Sequence, residues 1–265
     1  MDIILKVLEI VAPVFILVSI GFAWVKARLA YDLAFVTRLA MQLGTPCLLF
    51  VALARAEMDR RILADLALAT VVGYAAVALL SYGLCLAARL NIRSFLSPLI
   101  FGNTGNLGLP VVLFAYGQTG LAYALVIFAI MAVINFSLGV WLVSGEGSRE
   151  MFRQPILYGA LLGGLSMLTE RQPPGWVMAT LDLIGQTAIP LMLLTLGVAV
   201  ARLSARDVGR AILLSGLKLA IGLAVGVAVV NAAGIGWGPA GGAFLLQLAM
   251  PVAVTSYLLA TRYAA

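Results

Sequence analysis

The sequence contains no histidine and only two cysteines, and charged residues make up just 11% of its 265 positions. Each scarcity removes a class of function. Without histidine there is no imidazole to activate a serine nucleophile or to hold a metal. Cys47 and Cys85 both lie inside apolar runs, so they form neither a zinc set nor a disulfide framework. No GxxxxGK[S/T] loop is present to cradle a nucleotide's phosphates, which leaves direct ATP drive without support. No paired carboxylates or activated nucleophile can be assembled either, so no enzyme is expected and no cofactor or metal is called for. Charge is too thin, and apolar content too high at 63%, for a soluble domain with a wetted surface. Lys and Arg outnumber Asp and Glu by 17 to 11, but they are scattered singly or in pairs and make no basic face for nucleic acid. What remains is an all-α polytopic protein of the lipid bilayer, with a mean hydropathy of +1.09.

Nine apolar segments are expected to cross a hydrocarbon core ~30 Å thick. They cover residues 3–25, 33–53, 62–88, 95–116, 121–143, 155–168, 177–200, 208–230 and 240–261. The first is long enough to span and is followed by no small-residue cleavage site, so it reads as a retained helix and not a signal peptide. Basic residues set the topology. Lys26, Arg28, Arg89, Arg93, Arg149, Arg153, Arg202, Arg206, Arg210 and Arg262 fall on one side, against Lys6, Arg55, Arg60, Arg61 and Arg171 on the other. This excess places the N-terminus outside and the 145–154 loop in the cytoplasm of a cell with an inner (plasma) membrane, although the cluster from Arg55 to Arg61 pulls the other way.

Prolines reveal an internal repeat. Pro13 matches Pro155, Pro46 matches Pro190 and Pro110 matches Pro251, at offsets of 142, 144 and 141 residues. Around the middle pair, Leu43-Gly-Thr-Pro-Cys-Leu-Leu-Phe resembles Thr187-Ala-Ile-Pro-Leu-Met-Leu-Leu. Five spans per unit is odd, so the second copy enters the membrane from the opposite face, the inverted arrangement of many secondary transporters. The expected organisation is a first repeat over residues 1–144, a short cytoplasmic loop over 145–154 and a second repeat over 155–265. The same offset places a counterpart of span five beyond Ala265, so the second repeat is expected to lack its last helix here, either as a nine-spanning variant or because the complete product is longer.

Within span four, Gly102-Asn-Thr-Gly-Asn-Leu-Gly-Leu-Pro110 should interrupt the helix. Pro110 removes a backbone donor, and Gly102, Gly105 and Gly108 each weaken a helix by about 1 kcal/mol relative to alanine. In lipid the freed amides and carbonyls would be costly, so an interruption is tolerated only where protein or a watery cavity covers it. Span nine has its own break at Pro251, with Gln247 four residues before the proline, as Asn106 is four before Pro110. If the two breaks cross at depth, half-helix N-termini would present N–H groups to an anion while Asn103, Thr104, Asn106, Gln247 and Thr255 bind its oxygens. By contrast, Gly159-x-x-x-Gly163 and Gly222-x-x-x-Gly226 carry no polar company and read as packing surfaces.

Lys218, about ten residues from either end of span eight, has ~15 Å of helix between it and each interface. An ionisable group at that depth is costly and functional by default. It could attract an anion, exchange a proton, or bond the carbonyls of a broken helix; its repeat counterpart falls near Tyr74 to Ala76, which carry no charge. Asp182 and Glu9 lie closer to the outer interface, where a solvated or paired role competes with a proton relay, and Arg38 can snorkel to the cytoplasmic surface. Asn135, Ser137, Thr255 and Ser256 could line a pocket or bond between helices.

These residues also carry a resemblance. The stretch from Gly102 to Pro110, the later Met250-Pro251-Val-Ala253 and the ending Leu259-Ala-Thr-Arg-Tyr263 resemble the auxin efflux carrier family, including its bacterial members, within the bile acid/auxin-type transporter superfamily. The likeness covers the whole chain. It implies two inverted five-helix repeats, a scaffold made of the first two helices of each repeat and a transport domain made of the rest. It also implies broken helices four and nine crossing at Pro110 and Pro251, with Asn106 helping to hold an organic carboxylate. Family members are often dimers through the scaffold, here spans 1, 2, 6 and 7. The chain departs from the family in its missing tenth helix and its loop of about ten residues. Function is therefore expected to be secondary transport of a small organic anion by alternating access. Coupling to protons or sodium and facilitated movement down a gradient are all compatible with these residues. A membrane-embedded sensor or assembly subunit that binds a ligand without moving it is the alternative.

Overall fold

Inside a bilayer an apolar chain must satisfy its backbone within its own segment, and helix is the form that does so. The computed structural model describes residues 3–55, 60–135, 137, 152–202 and 208–252, and it is helical nearly throughout them. In chain order the helices are α1 (Ile3–Lys26), α2 (Leu33–Leu39), α3 (Thr45–Ala54), α4 (Arg60–Ala87), α5 (Ile92–Ile100), α6 (Leu109–Ile134), α7 (Pro155–Thr169), α8 (Gly175–Gln186), α9 (Ala188–Ala201), α10 (Val208–Ala233) and α11 (Pro239–Ala249). Wide π-type turns over Ala40–Gly44 and Thr104–Gly108 lead into α3 and α6.

Among the described residues, six stretches are long and apolar enough to cross a membrane: Leu5–Lys26, Leu33–Ala54, Arg61–Ala87, Thr104–Ile134, Gly175–Ala201 and Ile212–Ala233. Nine spans were expected, and parts of the fifth and the ninth lie outside the described residues. α7 and α11, in spans six and nine, are short helices of 15 and 11 residues. Span four is divided, and α6 takes in its second part together with span five, as two helices that meet at Gly117. The joint expected between those two spans is present at Gly117, which leaves the helical region with φ of +64° and ψ of −159°, a conformation that a residue with a side chain would adopt only under strain.

The chain gathers into two units. The first comprises residues 1–57, 105–126 and 154–203, and so holds α1, α2, α3, α7, α8, α9 and the front of α6. Its helices meet through glycines. A side chain on Gly21 would strike the Leu194 carbonyl, and one on Gly197 the Val18 carbonyl, so α1 and α9 approach backbone to backbone. Gly159 and Gly163 do the same for α7 against Pro46 and Phe50 of α3, and Gly185 brings α8 onto Leu48. Two prolines follow breaks in the helical ladder. The wide turn precedes Pro46, where the Thr45 hydroxyl donates to the Ala40 carbonyl at 2.8 Å. Thr187 separates α8 from α9 ahead of Pro190 and donates to the Ile184 carbonyl at 2.7 Å. A hydroxyl thus covers carbonyls near the point where proline withholds an N–H.

The second unit comprises residues 58–104, 127–153 and 204–265, and α4, α5, α10 and α11 form its described core. Gly73 of α4 faces the Phe244 ring and Leu248 of α11, while Gly222 and Gly226 of α10 face Leu248, Ala249 and Leu245. Leu66, Val77, Leu99, Phe244 and Leu248 are buried between them. The first unit contains spans one, two, six and seven, the set that the resemblance assigns to a scaffold; residues 105–126 join that set here, where the resemblance places all of helix four with the transport domain.

Candidate functional site

In the second unit the interruptions of spans four and nine meet. α5 ends at Ile100 and α11 at Ala249, where Met250 turns extended with ψ of 137° ahead of Pro251. The main-chain N–H of Asn103 donates to the Pro251 carbonyl at 2.7 Å, and Gly102 pairs with Val252 in an antiparallel bridge, an extended pairing isolated among helices. Gly102 is required by this approach, because a Cβ there would lie 2.5 Å from the Met250 carbonyl oxygen. The seam satisfies main-chain groups that two broken helices would otherwise bury unpaired.

Lys218 sits beneath it, with 1% of its surface exposed. Its ammonium donates to the carbonyl of Ile100 at 2.8 Å and to that of Leu248 at 3.5 Å. Both acceptors belong to the last turn of a half-helix, where carbonyls lack intrahelical partners and the dipole is negative. The helix ends gathered here are therefore carbonyl ends, which suit a cation. The amide end that follows in span four opens α6 in the first unit, and the segment after Val252 lies outside the described residues.

Side-chain atoms near the seam are less well provided for. Thr104 and Gln247 are both 1% exposed, and neither the Thr104 hydroxyl nor the nitrogen or oxygen of the Gln247 carboxamide has a partner among the described residues. The same is true of the buried Tyr74 hydroxyl, on α4, whose ring stacks on Phe101 with centroids 6.2 Å apart. Burial without a partner costs about 1–3 kcal/mol per group, a cost that a polar guest would offset.

The expected site residues thus divide. Gly102, Asn103, Thr104, Lys218, Gln247 and Pro251 belong to the second unit, all of them buried except the half-buried Pro251. Gly105, Asn106, Gly108 and Pro110 belong to the first, with Asn106 half-buried on the wide turn and Pro110 buried as the second residue of α6. Asp182 is also in the first unit, where its carboxylate meets the Arg55 guanidinium at 2.7 Å. Glu9 and Arg38 are exposed, Asn135 is half-buried, and Ser137 bonds back onto the carbonyls of Val133 and Ile134. Thr255 and Ser256 lie outside the described residues. Tyr74 was named from the sequence only as the position that corresponds to Lys218; the signal for more was that 144-residue offset, equal to the one relating Pro46 to Pro190.

Among known families, the model of one described as membrane transport protein matches residues 6–150 and residues 139–265, which together take in nearly the whole chain. No curated protein matches the sequence.

Proposed function

Because the chain belongs to the membrane transport protein family, that of the auxin efflux carriers, we propose that it is a secondary carrier of a small organic anion, with carboxylates as the substrate class. The observation that carries this reading is the set of buried, unpartnered polar atoms on Thr104 and Gln247 beside a main-chain seam. A carboxylate accepts hydrogen bonds only, and a carboxamide N–H and a hydroxyl supply donors. Asn103 and Asn106 add two carboxamides on the same interrupted segment, and Thr255 would follow Pro251 in the other.

The repeat of prolines supports an inverted pair of five-span halves and alternating access by movement of one helix group against the other. Protons or sodium are the candidate coupling ions, the plasma membrane is the site of action, and the N-terminus lies outside with the 145–154 loop in the cytoplasm. Spans 1, 2, 6 and 7 would form the contact of a homodimer.

Purified protein in liposomes loaded with mono- and dicarboxylates tests the reading through counterflow. Asn106→Ala is expected to lower flux at least tenfold while leaving the melting temperature within a few degrees of wild type. Unchanged flux in that variant would remove Asn106 from the site. Binding of a carboxylate with no counterflow by the wild type would replace the carrier by a sensor or assembly subunit.

A further inference from the structure

The buried ammonium of Lys218 does more than fill a core position. Two half-helices, one from each interrupted span, direct their last carbonyls toward one point, and each C-terminus carries roughly half an elementary negative charge. Two such ends sum to about one negative charge, which a single monovalent cation balances. Helix ends and unwound carbonyls of this kind are what secondary transporters use to coordinate a free sodium ion or proton carrier. Here the cation is covalently attached: it arrives on α10, whose Gly222, one turn beyond Lys218, lets the helix approach the Leu248 carbonyl more closely than any side chain would allow.

We infer that Lys218 is a tethered substitute for a free monovalent cation at the crossing of the two broken helices, so that the crossing is assembled without binding sodium. Lys218 acts as a positioning residue, because it touches the helix ends and not the unpartnered atoms of Thr104 and Gln247. Its bonds go to main-chain carbonyls 118 and 30 residues away in sequence, which joins three helices at one atom. The second unit therefore carries its charge compensation in every state of loading. In the carrier proposed above, this removes a free ion at the crossing as the source of sodium coupling.

Thermal unfolding of the purified protein in detergent, with no substrate present, tests the inference apart from the carrier reading, since a protein that binds but does not transport gives the same melting data. The wild type is expected to melt at the same temperature in sodium chloride as in choline chloride of equal ionic strength. Lys218→Ala removes three methylenes and the ammonium, and n-propylammonium is the matching probe. That variant is expected to melt about 5 °C or more below wild type in choline chloride, given two lost charge-assisted bonds, and to recover several degrees with n-propylammonium or sodium but not with n-propanol. A wild type that gains stability from sodium would overturn the inference, as would equal recovery with n-propanol, which would mean that only volume was missing. Lys218→Met keeps the volume and settles the case in which the alanine variant does not fold: melting as high as wild type would show that the carbonyls need no cation, and a drop of several degrees supports the tether.

Discussion

In the first unit Thr45 turns its hydroxyl onto the Ala40 carbonyl, Thr195 meets the Tyr31 hydroxyl at 2.9 Å, and Ser166 donates to the Arg171 carbonyl at 2.7 Å. In the second, the buried hydroxyls of Tyr74, Ser81 and Thr104 and the whole carboxamide of Gln247 find no partner among the described residues. In the second unit Thr70 still bonds the Leu66 carbonyl at 2.7 Å, so the difference lies in the groups left unpaired there, not in every hydroxyl. A unit whose polar atoms are already paired, and whose helices touch backbone to backbone at glycines, has a single arrangement of lowest energy and, apart from Asn106 on its wide turn, little to offer a ligand. A unit that buries donors and acceptors unpaired gives up stability, which returns when a polar guest supplies the missing bonds.

Substitutions that blur this difference should do so unequally. The largest effect is expected in the first unit from Gly197→Val, which drives a branched side chain into the Val18 carbonyl and should cost about 3 kcal/mol. The melting temperature of the purified variant reads this directly, and an unchanged value would mean that α1 and α9 can separate without loss. Next is Gln247→Leu in the second unit, where a buried amide without partners becomes a similar apolar shape. Stability should hold or rise while carboxylate flux falls at least tenfold, equivalent to about 1.4 kcal/mol; lost stability with flux retained would reverse the assignment of the two units. A smaller loss, about 1 kcal/mol, is expected for Tyr31→Phe, because the Thr195 hydroxyl then stays buried alone. Smallest is Asp182→Asn. Its ion pair with Arg55 is well open to the surroundings, 49% on the arginine side, so less than about 1 kcal/mol should be lost and flux should be unaltered, whereas abolished flux would restore a proton relay at Asp182.

Much of this arrangement can be read in the residues themselves. Apolar runs between charged joints mark the helices, because lipid leaves no alternative for the backbone. Gly159 and Gly163 betray a close contact by their four-residue spacing, and Gly102 to Pro110 announces an interruption by composition alone. Three features were hidden. Gly21, Gly185 and Gly197 make equally close contacts without a spaced partner to flag them, since a single glycine in a membrane helix has no pattern. The partners of Lys218 are main-chain atoms, which every residue possesses, so no side-chain motif points to them. Tyr74 resembles any other apolar position of α4 until its ring is seen against Phe101. The apportioning of span four was also concealed: the sequence shows one motif from Gly102 to Pro110, yet Thr104 and Gly105 fall in different units.

The seam joining Asn103 to Pro251 and Gly102 to Val252 is made of peptide groups alone. The pairing uses no side-chain atom, although Gly102 must stay small, Pro251 keeps Met250 extended and Lys218 holds the two helix ends beside it. Substitutions among the carboxamides and hydroxyls around the seam can therefore alter what is bound there without touching the atoms that tie it.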